Sequence, residues 1–575
     1  MPIKDPNLIG QILVQRGAIT VEALERALAE QEHLQERVGD ILIKLGLINE
    51  DEFYKILAEQ SGVEYVKLKT IRIDPAVIEK IPAKFACHYE LIPIEISDNT
   101  ITVAMANPLD IHTVDDIRLL LKRDIKPVLA SRREILEAIK KYYGVGAETI
   151  EKMAPDAAGG AERIMSVQAQ ETQDLAGSAD DASIIKFVNQ VLLEAYRDRA
   201  TDIHIEPYED ELSVRYRIDG VLHETKVPPS IKTFQSAIIS RIKIMANLDI
   251  SERRLPQDGR MKIRIGQEEV DLRVSILPTP FGESVVIRLL ATNIRFGLES
   301  LGLLKRDLDI LERMIKKPHG IIFVTGPTGS GKTTTLYASL SKINTKDRKI
   351  ITIEDPIEYQ IKGVTQIQVQ SKIDLTFANA LRSMLRHDPD VMMVGEVRDY
   401  ETAEITIRVA LTGHLVFSTI HTNDAAGGVT RLIDMGVEPF LVASAVECFI
   451  AQRLVRVICD KCKHEVKPDK ELLKELGVSG LNLSKVKIYE GKGCDACRFT
   501  GYKGRTAIYE FLELNESIKE LVLKRSSSDQ IKKKALEHGM RTLRQDGWEK
   551  IMRGITTPSE VIRVTQQEEL EEIEE

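Results

Sequence analysis

The sequence has no excess of positive charge and no apolar stretch long enough to cross a bilayer. Its 575 residues carry a formal net charge of −9, with a pI of about 5.8. Such a chain lacks the global basic field that attracts nucleic acid. We find no signal peptide and no apolar run of about 20 residues, as a spanning helix needs. These absences predict a cytoplasmic protein with no membrane span, so any role at a membrane must go through a partner.

Cysteine is scarce as well, which argues against a disulfide framework in a chain of this length. Four of the six cysteines form two CxxC pairs, Cys459 with Cys462 and Cys494 with Cys497. Four thiolates suit tetrahedral Zn²⁺, and they leave no open position for water. We therefore predict a structural zinc site. A redox CxxC is the alternative, although one redox pair would not need a second.

The chain is too long for a single hydrophobic core, and we expect three or four domains. Residues 144–182 lack apolar periodicity and are rich in small and acidic residues, which is typical of a flexible linker. Alternating stretches between residues 201 and 289 predict the strands of an α+β domain, and residues 505–565 predict several short helices. The expected divisions are an N-terminal module at 1–143, a linker at 144–182, an α+β domain at 183–294, a larger domain at 295–566 and an acidic tail at 567–575.

Residues 8–60 contain an internal repeat. Gly10 aligns with Gly39, and Gln31 aligns with Gln60 at the same offset. Each unit predicts a short helix, a glycine turn and an amphipathic helix. Such units bury their apolar faces against each other.

A glycine-rich loop between an apolar strand and a helix is the strongest signal in the sequence. The apolar run at 321–324 precedes it, and the spacing fits G-x-x-x-x-G-K-[ST] in the context that this motif requires. Backbone N–H groups of such a loop surround a phosphate at the positive end of the following helix. We expect Lys332 to neutralise β/γ-phosphate oxygens and the Thr333 hydroxyl to bind Mg²⁺. The predicted nucleotide-binding residues are Gly326, Pro327, Thr328, Gly329, Ser330, Gly331, Lys332, Thr333 and Thr334.

Carboxylates follow two further apolar strands. Residues 351–358 end in an acidic stretch with Glu358, which is placed to orient Mg²⁺ or water. The strand before Glu396 makes this residue the candidate general base for the attacking water. Gly395 stands where many P-loop ATPases carry a metal-binding Asp, so the acidic stretch is expected to supply the missing charge.

Two histidines, His414 and His421, flank another apolar strand. They could sense the γ-phosphate or pass a signal across a subunit boundary. Each of these features alone has an ordinary explanation, since a carboxylate after a strand is often a solvated turn and a single histidine is often a neutral, satisfied group.

The order of nucleotide loop, acidic stretch, strand with Glu396 and histidine-flanked strand resembles the secretion ATPase family. Within that family the chain resembles the type that drives type IV pilus extension, and type II secretion ATPases are close. The cysteine module favours extension or secretion, because pilus-retraction ATPases lack it. A nucleic-acid translocase is a weaker alternative, since the chain is acidic and lacks a basic, aromatic groove.

The resemblance implies a multidomain α/β protein. It would have a RecA-like P-loop core, a PAS-like α+β domain before it, an N-terminal helical and mixed module, and a tetracysteine zinc insertion at 459–497. It further implies a homo-hexamer that hydrolyses ATP with Mg²⁺ while peripheral to the inner membrane. The implied partners are an inner-membrane platform protein and, through the N-terminal module, cytoplasmic pilus alignment proteins.

The resemblance also implies roles for particular residues. Glu396 would be catalytic, Glu358 would belong to an acidic box, and His414 and His421 would form a histidine box. Arginines of the α+β domain would contact the phosphates bound by a neighbouring subunit, as an arginine finger does. Spacing from the nucleotide loop assigns these to Arg273 and Arg288, and less directly to Arg217 and Arg241. The alternative is that Arg273 and Arg288 only pair with nearby carboxylates.

The N-terminal repeat resembles a module that binds cyclic di-GMP in some family members. There an opening Arg, a Gly and a closing Gln matter. Leucine cannot pair with guanine and phosphate as a guanidinium does, so a docking domain for a protein partner is the alternative. The matching residues are Arg37, Gly39, Gln60, Gly10 and Gln31, whereas Leu8 stands where the first motif would carry Arg.

Overall fold

The structure is a computed structural model, and it describes residues 9–34, 38–97, 99–108, 110–144, 179–265, 268–290, 297–477 and 486–565. Two units, residues 1–290 and 291–575, are considered separately. The acidic tail lies outside the described residues, as do Leu8, Arg37 and all but the ends of the predicted linker. In the described part of the chain, no helix has the length and apolar character needed to span a membrane.

The N-terminal repeat folds as two helix–turn–helix units, as predicted. A Cβ atom at Gly39 would lie 2.2 Å from the Phe53 ring, and one at Gly10 would lie 2.6 Å from the Leu24 side chain. The repeated glycines therefore allow the two helices of each unit to approach closely. The helices are α1 (Ile9–Gln15), α2 (Val21–Leu34), α3 (Val38–Lys44) and α4 (Glu50–Ser61).

The rest of the N-terminal module is mixed α/β, with a small sheet of order β1-β2-β3 in which β1 and β2 are antiparallel and β2 and β3 are parallel. Helices cover this sheet and complete one apolar core. Its elements are α5 (Pro75–Ile78), α6 (Ala83–His88), β1 (Leu91–Ser97), β2 (Thr100–Met105), α7 (Ile111–Leu121), β3 (Asp124–Leu129) and α8 (Arg132–Tyr143).

The predicted α+β domain is an antiparallel sheet of order β6-β5-β4-β9-β8-β7 in the described residues. Apolar side chains alternate along its strands, and one face packs on two helices to form the core. The opposite face carries polar and charged residues. The elements are α9 (Ala179–Arg197), β4 (Ala200–Pro207), β5 (Leu212–Ile218), β6 (Val221–Thr225), α10 (Gln235–Met245), β7 (Gln257–Ile265), β8 (Glu268–Thr279) and β9 (Gly282–Leu290).

The second unit is built on a sheet whose described strands have the order β12-β11-β13-β14-β10-β15-β18. Its strands are parallel except for β18, which pairs antiparallel with β15. Every residue of β10 is buried, because helices cover both faces and complete two separate cores. The strands are β10 (Gly320–Thr325), β11 (Ile350–Glu354), β12 (Val364–Gln368), β13 (Val391–Val394), β14 (Leu415–Ile420), β15 (Val446–Ile458) and β18 (Tyr502–Glu513).

The prediction of helices throughout 505–565 is wrong at its start, because residues up to Glu513 form strand β18. Edge pairing with β15 makes this segment a strand, and helices follow only after it. The helices of the unit are α11 (Lys305–Met314), α12 (Lys332–Ile343), α13 (Phe377–Met384), α14 (Tyr400–Leu411), α15 (Ala425–Asp434), α16 (Pro439–Ala445), α17 (Lys470–Glu475), α18 (Glu516–Leu523), α19 (Ser528–Glu537), α20 (Leu543–Met552) and α21 (Pro558–Val564). A separate hairpin joins β16 (Lys463–Val466) to β17 (Ile488–Gly491).

Candidate active site

The carboxyl ends of β10, β13 and β14 meet at one edge of the large sheet. In the strand register Thr325 lies opposite Ile420, and Val394 lies opposite Ser418. The nucleotide loop, Glu396 and His421 come directly after these strand ends. The parallel topology therefore brings together three segments that are far apart in sequence.

The glycine-rich loop ends where α12 begins, at Lys332. Gly331 has a φ of 88°, and a Cβ atom there would lie 2.8 Å from the Gln452 side-chain nitrogen, so any other residue would be strained at this position. The first N–H groups of α12 have no partner within the helix, which is how a helix start offers donors to a phosphate. The loop thus lies between a buried strand and a helix, which is the context that the motif requires.

The Lys332 side chain folds back over the loop. Its Nζ atom donates to the Gly326 carbonyl at 2.7 Å and to the Pro327 carbonyl at 3.1 Å. Burial lowers the pKa of Lys332 to about 8; the charge of Glu396 opposes this shift and that of Arg453 adds to it. A phosphate group placed in the loop would reverse the effect, since an anion favours the charged ammonium.

Both carboxylate oxygens of Glu396 accept from a neighbour. The Nε2 atom of His421 lies 2.9 Å from Oε1, and the Arg398 guanidinium lies 2.8 Å from Oε2. Burial alone would raise the pKa of Glu396, but the Arg398 hydrogen bond and the positive charges around the carboxylate bring it below its usual value. Burial and then the Lys332 charge lower the pKa of His421, so this imidazole is neutral near pH 7 and donates from Nε2.

The acidic stretch divides into a buried residue and a half-buried one. Glu354 ends β11 and accepts from Thr352 Oγ1 at 2.7 Å, from Gln366 Nε2 at 3.0 Å and from the Tyr337 hydroxyl. Burial and this hydrogen bond raise the pKa of Tyr337. Glu354 is therefore committed to a buried network, and Glu358, which is half-buried in the loop beyond it, remains the predicted acidic-box residue.

His414 lies away from these groups. It precedes β14 while His421 follows it, and a strand of this length separates its two ends by about 20 Å. The His414 Nδ1 atom lies 3.1 Å from the Val409 carbonyl and 3.1 Å from Thr412 Oγ1, at the end of α14. Within one chain the structure does not bring His414 to the nucleotide loop, so its predicted role across a subunit boundary stays a prediction.

The predicted arginines form a row on the polar face of the six-stranded sheet. Asp202 lies opposite both Arg217 and Arg288, and Arg288 lies opposite Arg273. Arg288 Nε donates to the Asp202 carboxylate at 2.9 Å. Arg288 therefore makes the pair with a nearby carboxylate that the alternative interpretation predicted. Like charges directly opposite each other are unfavourable, and the Asp202 carboxylate, which lies within 4 Å of both Arg217 and Arg288, offsets part of this repulsion. Arg241 lies in α10, which packs on the other face.

The four predicted cysteines come together as one cluster. Their sulfur atoms all lie within 4.8 Å of one another, and three of the pairs are separated by 3.7 to 3.9 Å. Zn–S bonds of about 2.3 Å in a tetrahedron place sulfur atoms about 3.8 Å apart. The cluster therefore fits a single tetrahedral metal ion held by Cys459, Cys462, Cys494 and Cys497.

No sequence motif includes Gln452 and Arg453, which the structure places beside the nucleotide loop. Both are buried in β15, where Ala451 lies opposite Thr325 at the end of β10. The available signal was two adjacent polar residues between apolar residues of the strand. Such residues are buried only with partners, so they mark a position where a strand meets polar groups.

Comparison with known proteins identifies the family. Residues 177–563 match the family described as Type II/IV secretion system protein, and residues 61–149 match the MshEN domain. The type IV pilus assembly ATPase PilB of Myxococcus xanthus is 44% identical over 557 residues, which cover 96% of this chain and 98% of that protein. PilB of Thermus thermophilus is 42% identical over 597 residues, which cover 97% of this chain and 66% of that protein. Type II secretion system protein E of Pseudomonas aeruginosa is 46% identical over 434 residues, which cover 75% of this chain and 86% of that protein.

The family match covers more than half of the chain, and the first of these relatives aligns with nearly all of it. The predicted RecA-like core and the predicted ATP hydrolase activity are confirmed. The chain belongs to the Type II/IV secretion system protein family, of which it is an ATP-hydrolysing member.

Proposed function

We propose that the protein is the ATP-driven motor of type IV pilus assembly. The observation that carries this proposal is the meeting of Lys332, Glu396 and His421 at one strand edge. It occurs in a chain that is 44% identical, over 96% of its length, to a pilus assembly ATPase.

Hydrolysis begins when Lys332 leaves the loop carbonyls and pairs with β/γ-phosphate oxygens. The Thr333 hydroxyl would hold Mg²⁺, which would neutralise charge developing on the phosphates. Glu396 accepts a proton from the attacking water, and neutral His421 fixes the orientation of that carboxylate. The Arg398 hydrogen bond to Oε2 stabilises the charged carboxylate and so makes Glu396 a weaker base.

The arginine row acts on a neighbouring copy of the chain. Arg273 and Arg288 stabilise the transition-state charge of ATP bound by the next subunit of a homo-hexamer. Asp202 holds Arg288 in the row until a phosphate replaces it. Hydrolysis then changes the relative position of domains, so that phosphate chemistry becomes rigid-body motion.

The motion acts on an inner-membrane platform protein, and the N-terminal module binds cytoplasmic pilus alignment proteins. We therefore place the protein in the cytoplasm, peripheral to the inner membrane. The domain boundaries at 143, 182 and 294 belong to this proposal, as does structural Zn²⁺ at the four cysteines. In the repeat, Gly10 and Gly39 support helix packing. Binding of cyclic di-GMP to the repeat also belongs to this proposal, and it rests on the family resemblance.

A type II secretion motor is the second candidate, and the 46% identity to a type II secretion protein E favours it. Two experiments test the proposal. Lys332→Ala and Glu396→Gln should abolish ATP turnover by the full-length chain while leaving the fold intact, and normal turnover would refute the site. A deletion strain should lose surface pili; loss of protein secretion with pili intact would favour the second candidate.

A further inference from the structure

Gln452 packs beneath the nucleotide loop and contacts its two ends. Its side-chain oxygen accepts from Thr335 Oγ1 at 2.7 Å, in the first turn of α12. A Cβ atom at Gly326 would lie 2.6 Å from the Gln452 carbonyl, and one at Gly331 would lie 2.8 Å from its side-chain nitrogen. Strand β15 therefore supports the loop from below.

Arg453, the next residue, places a buried guanidinium against the start of the loop. It is 8% exposed, and its Nη1 atom would lie 3.0 Å from a Cβ atom at Gly326. Nη1 donates to the Gln452 carbonyl at 3.0 Å, and Nη2 donates to the Asn423 carbonyl at 2.6 Å. Asn423 lies two residues after His421, so one side chain joins the nucleotide loop to the segment that holds the Glu396 partner.

The charge of Arg453 has no close counter-ion among the described residues. Its two hydrogen bonds go to neutral carbonyls, while Glu510 and Asp424 act on it only at longer range. Glu510 accepts from the Ala425 N–H at 2.9 Å, and Asp424 caps α15 by accepting from the Gly427 N–H at 2.8 Å. Burial accordingly lowers the pKa of Arg453. A buried cation without an anion costs free energy, which a bound anion would recover.

We propose that Arg453 is a positioning residue for the nucleotide, whose phosphate groups compensate its buried charge. The inference rests on the proposed function and adds a second cation to the one that Lys332 supplies. Lys332 contacts the bound phosphates, whereas Arg453 acts through the loop and through the Asn423 carbonyl. At the effective dielectric of a protein, one such charge changes the affinity for a polyanion on the order of tenfold.

The test compares three variants of the full-length chain by ADP affinity and by melting temperature without nucleotide. Arg453→Met removes the charge and keeps the length. Arg453→Lys keeps the charge but cannot donate to both carbonyls in the same way. Arg456→Met is the matched control on the same strand, because Arg456 pairs with the Glu560 carboxylate at 2.7 Å and does not face the loop.

We expect Arg453→Met to weaken ADP binding about tenfold with an unchanged or higher melting temperature, since the cost of the buried charge disappears. Arg453→Lys should bind ADP within about threefold of wild type. Arg456→Met should lower the melting temperature and leave ADP affinity unchanged. A lower melting temperature with unchanged ADP affinity in Arg453→Met would overturn the inference, because it would mean that Arg453 only ties segments together.

If Arg453→Met does not fold, Arg453→Lys decides alone. Affinity close to wild type supports the role of charge, and a tenfold loss overturns it. A result that overturns the role of Arg453, in either variant, does not refute the proposed function, because ATP turnover by the wild-type chain does not depend on it. Absence of ADP binding by the wild type would instead refute the proposed function.

Discussion

Replacing Glu396 by glutamine tests the catalytic site most directly. The amide has the shape of the carboxylate but cannot accept a proton from the attacking water. Loss of a general base lowers kcat by roughly 10²- to 10⁴-fold, which corresponds to about 3–5 kcal/mol in the barrier. We expect a loss of this size in steady-state ATP turnover by the full-length chain.

The effect on stability should be much smaller. Glu396 accepts from His421 and from Arg398, one on each oxygen. Glutamine keeps one oxygen acceptor, so one of these partners loses its bond, at a cost of about 1 kcal/mol. Nucleotide affinity should be equal or higher in the variant, since a negative charge near the phosphates is removed. The expected pattern is thus tight binding without turnover.

Glu401→Gln is the matched control. Glu401 lies in the first turn of α14, only a few residues further on; it is exposed and pairs with Arg382 at 2.6 Å. It should retain wild-type turnover and stability. Turnover of Glu396→Gln within about tenfold of wild type would refute its assignment as the base. Equal losses in both variants would mean that the effect comes from local structure.

Three further predictions follow from other sites. Burial alone would raise the pKa of Glu560, but hydrogen bonds from Arg563 and Arg456 bring it from 4.5 to about 2. Glu560→Gln should therefore lose about 3 kcal/mol of unfolding free energy, in full above pH 4.5 and progressively less as the pH falls towards 2. A difference in denaturation midpoint that does not change with pH would contradict this. Removal of metal by a chelator, or Cys459→Ser, should lower the melting temperature and release one zinc per chain, which metal analysis would detect. Metal-free protein with the same melting temperature would exclude the zinc site. Lys332→Ala and Arg288→Ala should each lose at least 10³-fold in turnover. Rings mixed from these two variants should recover part of it, and no recovery would mean that the arginine does not act across subunits.

Much of the chemistry could be predicted because it depends on residues that are neighbours in sequence. The nucleotide loop needs only a buried strand, glycines and a helix start, and all three lie within residues 320–343. The repeat glycines and the CxxC pairs are local in the same sense. The zinc prediction also required the two distant CxxC pairs to lie side by side in the fold. This could be predicted because a structural zinc site needs four ligands and each pair supplies two thiolates.

Contacts between segments could not be read in this way. From sequence order alone, His414 and His421 were equally good candidates for the nucleotide site. The structure places them at opposite ends of strand β14, so only His421 lies beside the nucleotide loop. Residues 505–513 form an edge strand rather than a helix because β15 offers them a hydrogen-bonding partner.

The sequence by itself determined that this protein binds a nucleotide, which residues form the loop, and which family it resembles. Only the tertiary structure decided that Glu396 is held by His421 and Arg398, that Glu354 is committed to a buried network, and that Arg453 lies against the loop. The physical reason is that local motifs follow from backbone conformation along a few residues. The neighbours of a charged side chain follow instead from the order and register of strands, which the whole core sets.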